Sequence, residues 1–295
     1  MNMTQPISAA RSVMVFAVLT VGLTADVLLA QRGSAPPAPA PPGAQRPTAP
    51  PVARPTAPRT TPVASTYNGP RTPDRKPDLN GIWQVLGTAH WNIEAHSALE
   101  GVPAGFSAVE GGAIPYQPAA LAKRNENFQN RLMADPIRKC YMPGVPRATY
   151  MPFPFEITQT PKHIGMAYEF AHATRTIFMD GTPHMDDLDF WMGDGRGTWE
   201  GDTLVIDTVS LGDQTWFDEA GNFHSDALKV VERFAPIDAT HINYEVTLDD
   251  AKVFTRPWKM TMTIYRRVEK NLELLDYECA EHVYQKVFKP AAGRP

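Results

Sequence analysis

Apolar and polar residues alternate along much of the second half of this chain, and that period of two restricts its fold more than any other feature. Ile242, Tyr244, Val246 and Leu248 are separated by polar residues, and the residues around Met260 follow the same rule. Such alternation places one face of each strand against a core. Further predicted strands cover residues 155–158, 163–170, 174–179, 228–234 and 272–279. Short connections favour antiparallel pairing, so the pattern predicts an all-β domain of nine or ten strands, closed into a barrel or strongly curved.

A β-hairpin is predicted at the centre of this pattern, over residues 197–208. Gly201-Asp202 supplies the tight turn, because glycine accepts a positive φ without a steric penalty. Trp199 lies on one side of the incoming strand and Glu200 on the other. We expect Trp199 to pack in the barrel and Glu200 to lie on the opposite face. Which face of this hairpin borders a cavity is left open by the sequence.

One segment outside the sheet has helical features, over residues 117–133. It is rich in good helix formers and has Pro118 in the first turn. Leu121, Phe128 and Leu132 fall on one face at helical spacing. We expect one peripheral helix that lies on the barrel or plugs one end.

The first 76 residues differ in composition from the rest. Arg11 precedes an apolar run that ends near Ala30, which is the layout of a secretory signal peptide; an uncleaved anchor is the alternative. Residues 31–76 form a predicted disordered spacer, because eleven of the 29 prolines lie between Pro36 and Pro62 and almost nothing can be buried. Residues 77–290 form the folded domain. The prediction is therefore a periplasmic or secreted protein without a transmembrane segment after signal cleavage.

Charge and cysteine content fit that compartment. Residues 77–295 carry 20 Lys and Arg against 30 Asp and Glu, which argues against nucleic acid as a partner. Cys140 and Cys279 are the only cysteines, and an exported chain with an even pair favours a disulfide; two buried free thiols are the alternative.

Several segments carry a family resemblance. The opening DLNGIW (residues 78–83) resembles the first strand of lipocalin-type barrels, and the block GTWEGDTLVIDT (197–208) is the most specific match to a widespread family of uncharacterised exported bacterial proteins. Other matching segments are residues 155–159, 175–181 with His184, 231–234, 255–258 and 277–281. The resemblance covers residues 78–285. It implies export and a lipocalin-like fold, and it carries no established activity.

Familiar catalytic signatures are absent from the sequence, which argues against ATP, nicotinamide and zincin chemistry. The first candidate site consists of His172, His184 and His224, which lie in or beside loops at strand ends. Three imidazoles that converge there would hold zinc or another divalent metal and leave a position for water. The alternative is three separate loop histidines. No cofactor is expected unless these histidines meet.

The second candidate site consists of charged strand residues that face a cavity. Glu169, Arg175 and Glu200 flank the central hairpin and its neighbours, where an inward carboxylate would act as an acid or base and Arg175 would hold an anionic group. Solvent exposure is the alternative for each. The predicted catalytic residues are Glu169, His184 and His224. The predicted ligand-binding residues are Trp83, Arg175, Trp199, Glu200 and Trp216.

Three functions are compatible with these features. The first is an exported, lipocalin-like protein that binds a small, largely apolar ligand in a barrel cavity. The second is a cofactor-free or metal-assisted hydrolase, lyase or isomerase that uses the same cavity. The third is a structural envelope protein. The sequence leaves the ligand and the oligomeric state open.

Overall fold

A computed structural model describes residues 67–185, 188–277 and 279. The predicted signal peptide, residues 31–66 of the predicted spacer and residues 280–290 of the predicted domain lie outside that part of the chain. The last residues of the predicted spacer lie against the central hairpin, where Arg71 pairs with Asp202 at 2.8 Å and the Lys76 ammonium lies 5.6 Å from the Trp199 ring centre. Within the described residues, no helix is long and apolar enough to cross a membrane.

The described residues form a closed barrel of nine strands, each hydrogen-bonded to its sequence neighbours, with β1 and β9 closing the ring. All-β architecture with a lipocalin-like barrel and one α-helix is thus confirmed. The strands are β1 (Gly81–Val85), β2 (Phe155–Gln159), β3 (His163–Tyr168), β4 (Thr174–Phe178), β5 (Asp194–Glu200), β6 (Thr203–Val209), β7 (Lys229–Pro236), β8 (His241–Asp249) and β9 (Trp258–Arg266).

One strand pair departs from simple up-and-down order. β4 and β5 are parallel, with Ile177 opposite Gly195 and Phe178 opposite Arg196. A parallel pair requires the chain to return to the starting end before the next strand, so the connection from β4 to β5 is a long crossover instead of a hairpin. The turn pair Asp180-Gly181 therefore begins this crossover. The other eight pairs are antiparallel, including the predicted hairpin of β5 and β6.

The barrel interior is lined by the alternating apolar side chains of the strands. Ile242, Tyr244, Val246 and Leu248 of β8 are all fully buried, as the period of two predicts. Trp83 closes one end: its Nε1 donates to the Leu79 carbonyl at 2.8 Å, and the Arg266 guanidinium lies 4.2 Å from its ring centre. The opposite end, which we call the loop end, carries residues 86–117, 135–154, 169–173 and 210–228.

Helix α1 (Pro118–Ala134) lies at the loop end and confirms the predicted helix within one residue at each terminus. Its predicted apolar face is largely exposed, however: Leu121 is 46% exposed and Leu132 is 63% exposed. The face that docks combines Ala120, which is buried in the core, with two polar side chains: Asn127 donates to the Gly221 carbonyl at 3.2 Å and Arg124 donates to Asn222 at 3.2 Å. Two short 3-10 helices follow, Pro136–Lys139 and Arg147–Tyr150.

The predicted disulfide between Cys140 and Cys279 is present, with a Cα–Cα distance of 5.2 Å. It joins the end of the first 3-10 helix to the segment that follows β9. Next to it lies a small second core of Ile137, Met151 and Phe170. The disulfide thus fixes the C-terminal segment beside the connection between β3 and β4.

Candidate functional site

Arg175 of β4 points into the barrel, where it forms a buried ion pair with Glu232 of β7. The guanidinium Nη2 lies 2.7 Å from Glu232 Oε2 and donates to Thr208 Oγ1 at 3.1 Å. The second oxygen of Glu232 accepts a hydrogen bond from the Tyr244 hydroxyl at 2.7 Å. Burial alone would lower the pKa of Arg175, but the charge of Glu232 and its hydrogen bond raise that pKa above its ordinary value. Arg175 is therefore a permanent cation inside the barrel.

The other predicted strand residues take different places. Trp83 is buried at the closed end, whereas Trp199 is half-buried and packs against the core. Glu200 faces outward, where its carboxylate pairs with Arg233 at 2.6 Å. Trp216 is half-buried in the loop before β7 and pairs with Phe223. The structure therefore divides the predicted ligand-binding residues between the interior, the surface and a loop.

The three candidate metal-ligating histidines have separate partners. His184 lies between two carboxylates, 3.1 Å from Asp194 and 3.2 Å from Asp207. His172 is paired with Asp276 at 3.1 Å. In the part of the chain that the structure describes, no group of three or more His, Cys, Asp or Glu side chains is arranged to hold a metal ion.

His224 is fully buried at the loop end. Its Nε2 lies 2.7 Å from Thr215 Oγ1, and its Nδ1 lies 2.9 Å from the Ser225 carbonyl oxygen. Its ring lies against Phe217, with 5.2 Å between ring centres. Burial lowers the pKa of His224, so the imidazole is neutral at pH 7. These contacts fix the loop before β7 and leave His224 away from solvent.

A cleft of about 260 Å³ lies at the loop end, between the connection of β3 to β4 and the segment after β9. We call it the loop-end cleft. It brings together Glu169, a predicted catalytic residue, and His172, a predicted metal ligand. Its lining residues are Ala167, Tyr168, Glu169, His172, Thr174, Leu274, Leu275 and Asp276.

Local backbone geometry explains why Glu169 and His172 reach this cleft. The chain reverses between β3 and β4 through Ala171 and His172, whose φ angles are 56° and 49°. Phe170 is turned into the second core, and the backbone of Glu169 is fixed by a bond to the Pro154 carbonyl at 3.1 Å. The Glu169 carboxylate accepts a hydrogen bond from the Leu275 amide at 2.9 Å and is only 8% exposed as a residue. The cleft therefore contains a largely buried carboxylate beside an imidazole.

A second cleft, of about 300 Å³, lies between the crossover and the loop before β7. It is lined by Asp189, Phe190, Trp191, Gly212, Asp213, Gln214 and Asp226. Its three carboxylate residues are exposed, and Asp226 already pairs with Lys252. Exposed carboxylates are well solvated and weakly selective. The loop-end cleft, which is slightly smaller, is the better candidate because its carboxylate is withdrawn from water.

A buried polar network at the loop end was not predicted from the sequence. Arg147 holds Asp135 through two hydrogen bonds of 2.8 Å, and His90 lies 2.9 Å from Glu219. Asp218 accepts hydrogen bonds from the amides of Ile93 and Asn222 and from the Asn222 side chain. These residues lie in loops and in or beside short 3-10 helices, where the sequence has no periodicity, so their charge was the only signal for a polar site. The network joins the loops at the loop end of the barrel.

Burial raises the pKa of Asp218 to about 6, above the value of about 3.9 expected in the unfolded chain. The native state therefore binds a proton between pH 6 and pH 4 more readily than the unfolded state. Burial of the charged Asp218 carboxylate lowers the free energy of unfolding above pH 6, and this loss is relieved as the pH falls towards 4 and the carboxyl is protonated.

Comparison of the native protein with Asp218→Asn isolates this effect. The native protein is expected to gain roughly 2–3 kcal/mol of unfolding free energy relative to the variant between pH 7 and pH 4, because the asparagine does not titrate. Urea unfolding at several pH values measures it. Asp226→Asn is the control. Lys252 lowers the pKa of Asp226, so the native protein is expected to lose unfolding free energy relative to this variant as the pH falls. A difference in unfolding free energy between the native protein and Asp218→Asn that does not change with pH would contradict the raised pKa of Asp218.

No protein-family model matches the chain, and no curated protein is similar to it at a significant level. The class of protein thus follows from the fold: a closed, lipocalin-like β-barrel of nine strands with a single α-helix in its described part.

Proposed function

We propose that this protein is an exported, lipocalin-like binding protein whose loop-end cleft takes a small, largely apolar molecule. The observation that carries the proposal is the cleft itself, about 260 Å³ in volume and bounded by barrel strands on one side and a disulfide-held segment on the other. The predicted signal peptide and the disulfide support export, since disulfides persist in oxidising compartments.

The packing of the interior favours the cleft over the barrel lumen as the binding site. Phe155, Phe234, Tyr244, Trp258 and Met260 are all fully or almost fully buried within one continuous core. Side chains of this size fill the inside of a small barrel. The proposed ligand therefore lies at the end of the barrel, where two of the predicted site residues meet.

The walls of the cleft indicate the kind of ligand. Ala167, Tyr168, Leu274 and Leu275 supply apolar surface, which favours an apolar ligand body. Glu169 and other polar groups at the edge accept hydrogen bonds from a hydroxyl or amine. The volume of the cleft, about 260 Å³, lies just below the usual range for ligand pockets, so the ligand is small.

A cleft-filling substitution tests the proposal with N-phenyl-1-naphthylamine, a neutral apolar probe that fluoresces when it leaves water. Thr174→Trp places an indole in the cleft from an exposed position on β4. We expect the dissociation constant of the probe to rise at least about tenfold, which corresponds to about 1.4 kcal/mol. A fluorescence titration measures it.

Thr176→Trp is the matched control, because Thr176 is exposed on the same face of β4 but does not line the cleft. This control is expected to bind the probe as the native protein does. Equal binding by native protein and Thr174→Trp would exclude the cleft as the site. Absence of binding to the native protein would favour a structural envelope protein.

The same cleft favours an enzyme as a second candidate function. A largely buried carboxylate, Glu169, and an imidazole paired with a carboxylate, His172 with Asp276, are the groups that acid–base catalysis uses. Hydrolysis of p-nitrophenyl acetate by the native protein and by Glu169→Gln tests it. A rate that the substitution abolishes would support an enzyme, and a rate equal to that of the buffer would exclude esterase chemistry.

A further inference from the structure

The segment after β9 forms one wall of the loop-end cleft. Leu274, Leu275 and Asp276 line the cleft, and Cys279, a few residues further on, is bonded to Cys140. We call residues 274–277 the strap. The position of the strap decides whether the cleft exists, because the opposite wall is built from the fixed strands β3 and β4.

Few noncovalent contacts hold the strap. The Leu275 amide donates to Glu169 at 2.9 Å. Tyr277 forms a single β-bridge with Phe170 and packs on the second core, where its ring lies 5.4 Å from that of Phe170 and 4.9 Å from that of Phe153. The Leu275 side chain is 71% exposed. The pair of His172 and Asp276 is also exposed, and exposed ion pairs contribute little.

Ordering this segment has an entropic cost that those contacts offset only in part. Residues 267–277 belong to no strand, so each ordered residue loses backbone freedom without a ladder of hydrogen bonds in return. The disulfide lowers this cost, because it already holds the end of the segment beside the first 3-10 helix. The strap therefore depends on the disulfide.

We propose that the Cys140–Cys279 disulfide is a redox latch on the loop-end cleft: oxidation holds the strap in place as a wall, and reduction by a dithiol releases it and weakens ligand binding. This inference rests on the proposed binding function. Both cysteines are half-buried as residues, so the crosslink lies near the surface and outside the barrel core.

The chemistry is thiol–disulfide exchange. A thiolate of the dithiol bonds to one sulfur, the Cys140–Cys279 bond breaks, and the second thiol of the reductant then displaces the chain from the mixed disulfide. Two electrons and two protons pass to the protein, which gains two thiols, while the dithiol becomes a disulfide. The barrel persists because the pairing of β1 with β9 closes it without the disulfide.

Hydrogen exchange and probe binding test the latch on the full chain, oxidised and then reduced with dithiothreitol. We expect exchange at the Leu275 amide to accelerate at least about tenfold on reduction, because its bond to Glu169 is lost, while the amides of β8 keep their protection. The dissociation constant of N-phenyl-1-naphthylamine is expected to rise at least about tenfold. Reoxidation restores both values.

The double variant Cys140→Ser with Cys279→Ser is the control for the reductant. It is expected to behave as the reduced native protein and to be insensitive to dithiothreitol. Unchanged exchange at Leu275 on reduction would overturn the latch, and so would a released strap with unchanged probe affinity. Absence of probe binding to both forms would instead refute the proposed binding function, while hydrogen exchange still decides whether the disulfide holds the strap.

Discussion

Replacement of Arg175 by methionine is expected to lower the free energy of unfolding by about 3–5 kcal/mol, since it leaves the Glu232 carboxylate buried without its cationic partner. Both side chains are almost completely inaccessible to water, so solvent does not replace the lost interaction. Tyr244 still donates one hydrogen bond to Glu232, which offsets part of the cost. Urea unfolding at pH 7 measures the change as a shift in midpoint at constant slope.

A surface pair on the neighbouring position of β7 provides the matched control. Arg233 pairs with Glu200 at 2.6 Å, but both side chains are partly exposed, so Arg233→Met is expected to cost less than about 1 kcal/mol. The double variant Arg175→Met with Glu232→Gln is expected to recover part of the loss, because no buried charge remains. A loss for Arg175→Met no larger than that for Arg233→Met would contradict a dependence of the buried Glu232 carboxylate on Arg175.

Removal of the disulfide is the second large effect. Cys140 and Cys279 are 139 residues apart, and on the chain-entropy model a crosslink over such a loop restricts the unfolded chain strongly. The variant Cys140→Ser with Cys279→Ser is expected to lose about 3–5 kcal/mol of unfolding free energy. Urea unfolding under oxidising conditions measures it, with circular dichroism to confirm that the variant keeps its β structure.

Reduction of the native protein is the matched comparison for that variant. Dithiothreitol is expected to lower the unfolding midpoint of the native protein to that of the variant and to leave the variant unchanged. Equal midpoints for oxidised native protein and variant would contradict a stabilising role for the crosslink. This global measurement is separate from hydrogen exchange at Leu275, which reports only on the strap.

The strands were predictable because their side-chain pattern is set by a local rule. β8 alternates in burial as it alternates in sequence, and the turn at Gly201 has the positive φ of 62° that its glycine predicts. The helix was predictable from its helix-forming residues and from Pro118 in its first turn. The disulfide was predictable from an even pair of cysteines in a chain with a predicted export signal. Each of these signals lies within a short stretch of chain or in a single pair of residues.

The docking of α1 could not be predicted from its apolar face. Leu121 and Leu132 have the spacing of a buried face, but the helix is held by Arg124 and Asn127, which bind carbonyl and amide groups of a loop about 100 residues away. Hydrophobic periodicity reports on packing and carries no information about such polar partners. The parallel pairing of β4 with β5 could not be predicted from strand periodicity either, because it depends on where the long crossover between the two strands ends.

The candidate site was predicted in part. The sequence predicts Glu169 and Arg175 as charges near the hairpin, but Glu169 lies in the connection after β3 and lines the cleft, whereas Arg175 of β4 points inward and forms the interior pair. The strap could not be foreseen, since residues 274–277 have the alternation of a strand but pair through one bridge only. Their position is set by a crosslink to a distant loop.

A crystal structure of the oxidised protein with bound N-phenyl-1-naphthylamine would show directly whether the loop-end cleft is the binding site. We expect the naphthyl ring between β3 and β4 on one side and Leu274 and Leu275 on the other, within reach of Glu169. Density for the probe in the acidic second cleft, inside the barrel or at no defined position would contradict it.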